Sequence, residues 1–355
     1  MTEKVDIMRP TSNVQRPTSN VQPNLFQKSL ITFLKIIVSG IFALLILTLL
    51  CSFYYNVPQH HADPAGATDY KFEPDTFFAF GREGFSYGRT NNEGYNDSSD
   101  YIKGMPVQIL VTGSSHMEAL HVMRKKNAAS LLAELSDRFV YNIGTSAHTF
   151  ITCAVNLESA LRKYTPSEYV IIETASVNFS DKELERIISK NVSKIPAYDK
   201  GILSVLRRNN FLRLMYHQFP VLLKSNMTSR KKSEQNDSYN SKALLTEVLR
   251  NLAHTASSYG IKLIIAYHPS ISLNKDGTIS INGDLNIVRQ FSELCAQNGI
   301  YFLDMSKRFL DEYKKNYTLP YGFMNTSVGS GHMNKYGHKM LAEEIYGLIQ
   351  RIEEK

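Results

Sequence analysis

Five short apolar runs, separated by amphipathic stretches, constrain this chain more than any other feature. They are residues 107–112 (VQILVT), 139–143 (FVYNI), 169–173 (YVIIE), 261–267 (IKLIIAY) and 300–303 (IYFL). Runs that are apolar along most of their length suit strands buried on both faces, which is the situation of a parallel sheet. Helical periodicity fills residues 119–135, 148–164, 242–258, 288–296 and 339–352. The alternation predicts an α/β domain with a parallel five-stranded sheet covered by helices on both sides. In such sheets a ligand sits beyond the carboxyl ends of the strands.

A different kind of segment lies upstream. Residues 36–53 (IIVSGIFALLILTLLCSF) carry no charge. With residues 31–34 as a tilted extension, the run suits a hydrocarbon core of roughly 30 Å. Tyr54 and Tyr55 follow, where interfacial aromatics sit. Lys28 and Lys35 flank its start, with Arg9 and Arg16 further back. The positive-inside rule then places the N-terminus in the cytoplasm and exports the C-terminal domain. The competing readings are a buried core helix, which would want a polar face, and a signal peptide, which would want a shorter apolar run and an Ala-x-Ala-like site. We therefore expect one transmembrane helix over residues 29–55. Residues 1–28 read as a disordered tail. It repeats RPTSNVQ at 9–15 and 16–22, but Pro10 and Pro17 and the lack of apolar heptad positions rule out a coiled coil.

Residues 56–105 read as a Pro- and Gly-rich linker (56–75) followed by a β-rich lead-in with a Gly turn. The sheet domain spans 106–355. It is interrupted by an insertion at 180–243, too long for an ordinary connection and therefore a lid or a partner surface. The insertion has helical stretches near 182–193 and 202–223 and a polar loop with Arg230, Lys231 and Lys232, most simply a solvated loop, with membrane-surface contact as the alternative. An apolar fraction of 43% over 355 residues suits one sizeable core plus attachments. The net charge of +7 permits an acidic surface as partner without demanding one. No zinc-finger spacing or base-reading helix points to nucleic acid. The cysteines, Cys51, Cys153 and Cys295, form no C-x-x-C, so neither a zinc site nor a redox dithiol is expected.

Two places carry chemistry. Gly113-Ser114-Ser115-His116 follows the first sheet strand directly. A Ser there sits in the crevice at a helix start, where backbone N–H groups and the dipole favour developing negative charge. A plain helix N-cap is the alternative role. Far downstream, Gly331-His332-Met333-Asn334-Lys335-Tyr336-Gly337-His338 precedes the last helix. A His at that point can return to the crevice as base for a Ser hydroxyl. His332 and His338 are poorly spaced for a metal, so no metal or other cofactor is expected.

The combination resembles the SGNH/GDSL hydrolase superfamily. Gly113-Ser114-Ser115 is similar to its first block, with Ser114 where Asp is usual; Gly144 after strand two is similar to the second, Asn178 after strand three to the third, and His332 to the fourth. Asn92-Glu93-Gly94-Tyr95 resembles segments that precede this domain in envelope-polysaccharide-modifying relatives. The resemblance covers residues 107–352 without the insertion. It implies a three-layer, flavodoxin-like fold, with Ser115 as nucleophile and His332 as base. It also implies an oxyanion hole from the Ser115 and Gly144 backbone N–H groups and the Asn178 side chain.

One departure stands out. Three residues before His332, where the resemblance implies Asp, the chain has Gly329. A Ser–His dyad is one reading; Asp304 and Glu173 are other sources of a carboxylate, with helix capping the plainer role for Asp304. His268, before Pro269, is either a substrate contact or a turn residue, and Asn325 and Thr326 read as structural. Three functions follow as expectations. One is an esterase or O-acyltransferase acting on acyl, especially acetyl, esters of an extracytoplasmic glycan. The second is an inactive envelope binding or assembly protein on the same fold. The third is a lipid esterase whose acyl pocket is covered by the stretch 202–223.

Overall fold

The computed structural model describes residues 24–63, 66–189, 209–215 and 242–355. The duplicated heptapeptide, the basic run at 230–232 and most of the stretch 202–223 lie outside them. The chain divides into one unit ending at Leu47 and another over Thr48–Lys355. The first is built on helix α1 (Leu25–Ser52), whose 28 residues include no buried one. At 1.5 Å per residue it is about 42 Å long, and it is long and apolar enough to cross a membrane. It starts and ends a few residues before the expected 29–55.

The second unit opens with the lead-in. Strands β1 (Tyr55–Asn56), β2 (His60–Ala62), β3 (Tyr70–Phe72), β4 (Phe77–Phe80) and β5 (Ser86–Arg89) form a β2–β3 hairpin and an antiparallel β1-β4-β5 sheet. The expected linker over 56–75 is thus structured. Asp63 Oδ2 accepts from the amides of Ala67 and Thr68, closing the hairpin connection on itself, and Phe72 is buried. The Asn91–Asp97 segment bolts this lead-in to the next domain. Asn91 Nδ2 donates to Tyr141 Oη at 3.0 Å, and Asp97 Oδ2 accepts from Asn142 N at 2.8 Å.

Then come β6 (Ile109–Thr112), α2 (Ser115–Glu118), α3 (Ala128–Ser136), β7 (Val140–Asn142), α4 (Phe150–Tyr164), β8 (Tyr169–Thr174) and α5 (Asp181–Ile188). After the insertion follow α6 (Lys242–Ser258), β9 (Lys262–Tyr267), β10 (Ile271–Leu273), β11 (Ile279–Ile281), α7 (Leu285–Gln297) and β12 (Tyr301–Asp304). The chain closes with α8 (Ser306–Asn316), β13 (Tyr321–Gly322), β14 (Val328–Met333) and α9 (Lys335–Glu353). The main sheet has five parallel strands in the order β12-β9-β8-β6-β7. Ranked by chain position that is 2-1-3-4-5 read from the other edge, the flavodoxin-like doubly wound order.

Both faces of the strands are buried, which explains their continuous apolar sequence. Leu110, Val170, Ile172, Leu263 and Ile265 pack toward α4, α6 and α7, with Phe150, Leu249 and Phe291. Ile109, Val111, Ile171, Ile264 and Ala266 pack toward α3 and α9, with Leu132, Leu341 and Ile345. The winding reverses between β6 and β8, so the crevice opens where β6 ends and Ser115 begins.

The single helix expected over 119–135 is broken. Helix α2 stops at Ala119, which is left-handed (φ 55°), and α3 starts afresh at an Asn127 cap, whose side chain accepts from Ser130 N. Between them Leu120 and His121 are buried, and Leu120 O accepts from Ser86 Oγ at 2.5 Å. Burial of this bend against the lead-in overrides the helical periodicity.

Candidate functional site

The β6 strand delivers the chain into a tight turn. Gly113 has no room for a side chain, because a Cβ there would collide with the Glu173 carboxylate and stand 2.8 Å from Met117 Cγ. Ser114, extended (φ −83°, ψ −164°), caps α2 by accepting from His116 N at 3.2 Å. That makes Ser115 the first residue of the turn and half-exposes its hydroxyl.

His332 arrives from β14. Its Nε2 lies 2.9 Å from Ser115 Oγ. Its Nδ1 lies 2.7 Å from Glu83 Oε2, and its backbone N–H donates to Glu83 Oε1, also at 2.7 Å. Glu83 sits on the turn between β4 and β5, in the lead-in. Asn325 clamps that turn: Nδ2 donates to Gly81 O at 2.8 Å and Gly84 O at 2.9 Å, and Oδ1 accepts from Gly84 N at 2.9 Å. Gly331 (φ +88°) is needed because a Cβ there would collide with the Glu83 carboxylate. Burial pushes the Glu83 pKa up, but the hydrogen bonds from the His332 ring and amide outweigh it and hold the carboxyl below its ordinary value. Gly329, where Asp was expected, has φ +83°, a conformation that disfavours Asp, and its missing Cβ would face Leu319 and Leu273. The carboxylate on His332 therefore comes from the lead-in, 249 positions earlier.

The alternative carboxylates do other work. Asp304 Oδ1 accepts from Ser306 N at 2.9 Å and Ser306 Oγ at 2.5 Å, so it holds the first residue of α8. Glu173 is buried beneath the nucleophile turn. It accepts from Ser114 N at 2.6 Å and Ser114 Oγ at 2.9 Å, and pairs with His268 Nε2. Desolvation raises its pKa, but His268 and the Ser114 bonds outweigh that and hold it low. His268 is fully buried, with Nδ1 2.7 Å from Tyr321 Oη, so it is neither a substrate contact nor a simple turn residue. His338 Nδ1 accepts from Ala128 N at 3.2 Å and is structural.

Of the expected oxyanion donors, the Gly144 amide is already occupied. Gly144 lies under α2, where a Cβ would stand 2.6 Å from Met117 Cβ. Its N–H donates to Asn142 Oδ1 at 2.9 Å, so this amide is engaged rather than open. The cause is local: Asn142, two residues earlier, closes an Asx turn. Asn178 is exposed on the loop after β8, with its own N–H donating to Ser176 Oγ at 3.3 Å.

Glu83 and His121 are site residues that sequence reasoning missed. A lone Glu between Gly81 and Gly84 was the available signal for the first. His121 stacks on His332 with ring centroids 3.6 Å apart and planes 14° apart. Glu83, His121 and His332 place ligand-type atoms within 4.8 Å of one another. The two rings lie face to face, however, so their in-plane lone pairs run side by side and do not converge on one ion.

No protein-family model matches the chain, and no curated protein matches it. Among solved structures it is similar to TesA (15% identity, TM-score 0.37), covering 68% of this chain and 98% of that one. The acetyl xylan esterase AlAXEase aligns at 13% identity and a TM-score of 0.41, covering 68% and 99%. A two-domain esterase active on acetylated mannans aligns at 11% and 0.39, covering 70% and 50%. Proteins described as of the G-D-S-L family and as SGNH hydrolases also align. At these identities and scores the functional argument rests on the site geometry.

Proposed function

We propose that this protein is a serine ester hydrolase or acyltransferase working through an acyl-Ser115 intermediate. The observation that carries the reading is one continuous chain of contacts, Ser115 Oγ to His332 Nε2 and His332 Nδ1 to Glu83. In it His332 removes the hydroxyl proton as Ser115 attacks an acyl carbonyl, then returns it to the leaving alcohol. Glu83 fixes the tautomer with the proton on Nδ1 and stabilises the imidazolium. The Ser115 N–H faces the developing oxyanion, and Asn178 is the side chain assigned to complete that role when substrate is bound. A water or a sugar hydroxyl then resolves the ester, giving hydrolysis or transfer.

The inactive-protein reading rested on two departures, Gly329 in place of an acid and Ser114 in place of Asp, and the Glu83–His332 contact speaks against the first. For the substrate we favour acyl, chiefly acetyl, esters of a glycan outside the cytoplasm. The support is α1, long and apolar enough to cross a membrane, and a Ser115 that is only half-buried. The full chain in detergent should be labelled stoichiometrically by a fluorophosphonate and should cleave an aryl acetate, and both should vanish in Ser115→Ala. Absence of wild-type labelling between pH 6 and 9 in folded protein would remove the proposal. Longer acyl esters turned over faster than acetate would move the substrate from glycan to lipid.

A further inference from the structure

Two hydrogen bonds at opposite ring nitrogens hold His332, one to Ser115 and one to Glu83. Two such bonds define an axis, and they leave the ring free to tilt about it. A third contact, on the ring face, is needed to fix the plane. His121 supplies one at 3.6 Å, and its own ring is held in turn. It is buried, Phe80 meets it edge-on at 4.7 Å, and Phe323 lies near-parallel at 6.3 Å. His116 also lies 5.3 Å from His332, its ring tilted by 44°, and its Nδ1 accepts from Met333 N at 3.1 Å. Of these two neighbouring imidazoles, His121 is the one stacked on the His332 ring.

We propose that His121 is a positioning residue for His332, acting through its ring face and not through a polar atom. Resting on the acyl-Ser115 reading, this explains why the α2–α3 helix breaks where it does: the left-handed Ala119 turns the chain so that His121 lies flat on His332. The polar edge makes no hydrogen bond to the carboxylate, since His121 Nε2 stands 3.9 Å from Glu83 Oε2. Burial lowers the His121 pKa to about 2, so the ring stays neutral beside the imidazolium that forms during catalysis. A neutral aromatic face next to a cation is favourable, where a second cation would oppose it.

The test compares three variants of the full chain with wild type. His121→Ala should slow aryl acetate turnover and fluorophosphonate labelling by about ten- to a hundredfold, the scale expected for a catalytic group displaced by around an ångström, with KM changed less than about twofold. His121→Phe, which keeps a flat ring and loses both nitrogens, should recover most of the rate. His121→Gln, polar but without the ring, should not. In Ser115→Ala protein the downfield NMR resonance of the His332 Nδ1 proton should be sharp with His121 and broadened by exchange with His121→Ala, which reads ring order without catalysis. A folded His121→Ala with wild-type rate, or rescue by Gln and not by Phe, overturns the inference. Loss of labelling in wild type itself would instead sink the acyl-Ser115 reading and leave the NMR comparison to decide the role of His121.

Discussion

Two adjacent serines, Ser114 and Ser115, each belong to a set containing a glutamate and a histidine, and the two sets are wired differently. In the first, the carboxylate is central: Glu173 accepts from Ser114 and pairs with His268, which passes on to Tyr321. In the second, the imidazole is central: His332 lies between Ser115 and Glu83. A serine that donates to a carboxylate is held, and that arrangement fixes the turn. A serine facing an imidazole nitrogen can give up its proton to a base suited to neutral pH. Burial reinforces the contrast, since Glu173 and His268 are almost fully buried whereas the His332 side chain is 30% exposed. The same three residue types thus build a strut in one place and a reactive centre in the other, and the order of contacts and access to solvent decide which.

This contrast can be broken most severely at Glu83. Glu83→Gln keeps the shape of the contact and removes the charge, and the turnover of an aryl acetate should fall by on the order of 10⁴-fold with little loss of stability. In the sealed set, Glu173→Ala leaves the buried His268 and the half-buried Ser114 without their acceptor. Urea unfolding should show a loss of about 3–5 kcal/mol, far more than Glu83→Gln costs the fold.

Acid should separate the sets further. Burial, the leading cause in each case, lowers the pKa values of His116, His121, His148 and His338, to about 2 for His121, about 3 for His338 and about 4 for His148. Above pH 6.5 these rings are neutral in both folded and unfolded chains. Below it the unfolded chain binds protons that the folded one refuses, so stability falls with pH by about 1.4 kcal/mol per unit for each proton not offset. Asp97, pushed up by burial to about 6, works in the opposite sense and offsets one of them. Urea midpoints measured from pH 7 down to 5 should therefore drop steadily, and a flat profile would contradict the burial of these imidazoles. The smallest effect belongs to Ser114→Ala. Losing its cap on α2 and its hydroxyl bond to Glu173, which keeps its bonds from the Ser114 amide and His268, should cost about 2 kcal/mol, with fluorophosphonate labelling at Ser115 retained.

Most of the sheet was legible because strands buried on both faces must be apolar throughout, and residues 107–112, 169–173 and 261–267 are. The hairpin β10–β11, helix α8 and the β13–β14 pair were not anticipated. Helix α8 (SKRFLDEYKKN) is strongly polar, and the strands of the two pairs are too short, two to six residues, to carry a period, so tertiary contacts select their structure. Within the site, Ser115 and His332 could be found because each adjoins a sheet strand or the last helix. Glu83 could not: it is 249 positions from His332, and nothing local marks it beyond a pair of glycines. His121 was hidden inside an apparent helix whose break is imposed from outside by the lead-in. Gly144 shows the converse, where a correctly located glycine is committed to its neighbour Asn142 by an Asx turn that pattern alone does not reveal.

The β4–β5 turn carrying Glu83 has a consequence for the order of synthesis. This carboxylate leaves the ribosome first, Ser115 soon after it, and His332 a further 217 positions on. A nascent chain therefore carries its nucleophile through the whole of that stretch without the base that would arm it. Docking of the last strand, β14, against the lead-in unites all three groups, so reactivity is withheld until the two distant ends of the domain have found each other.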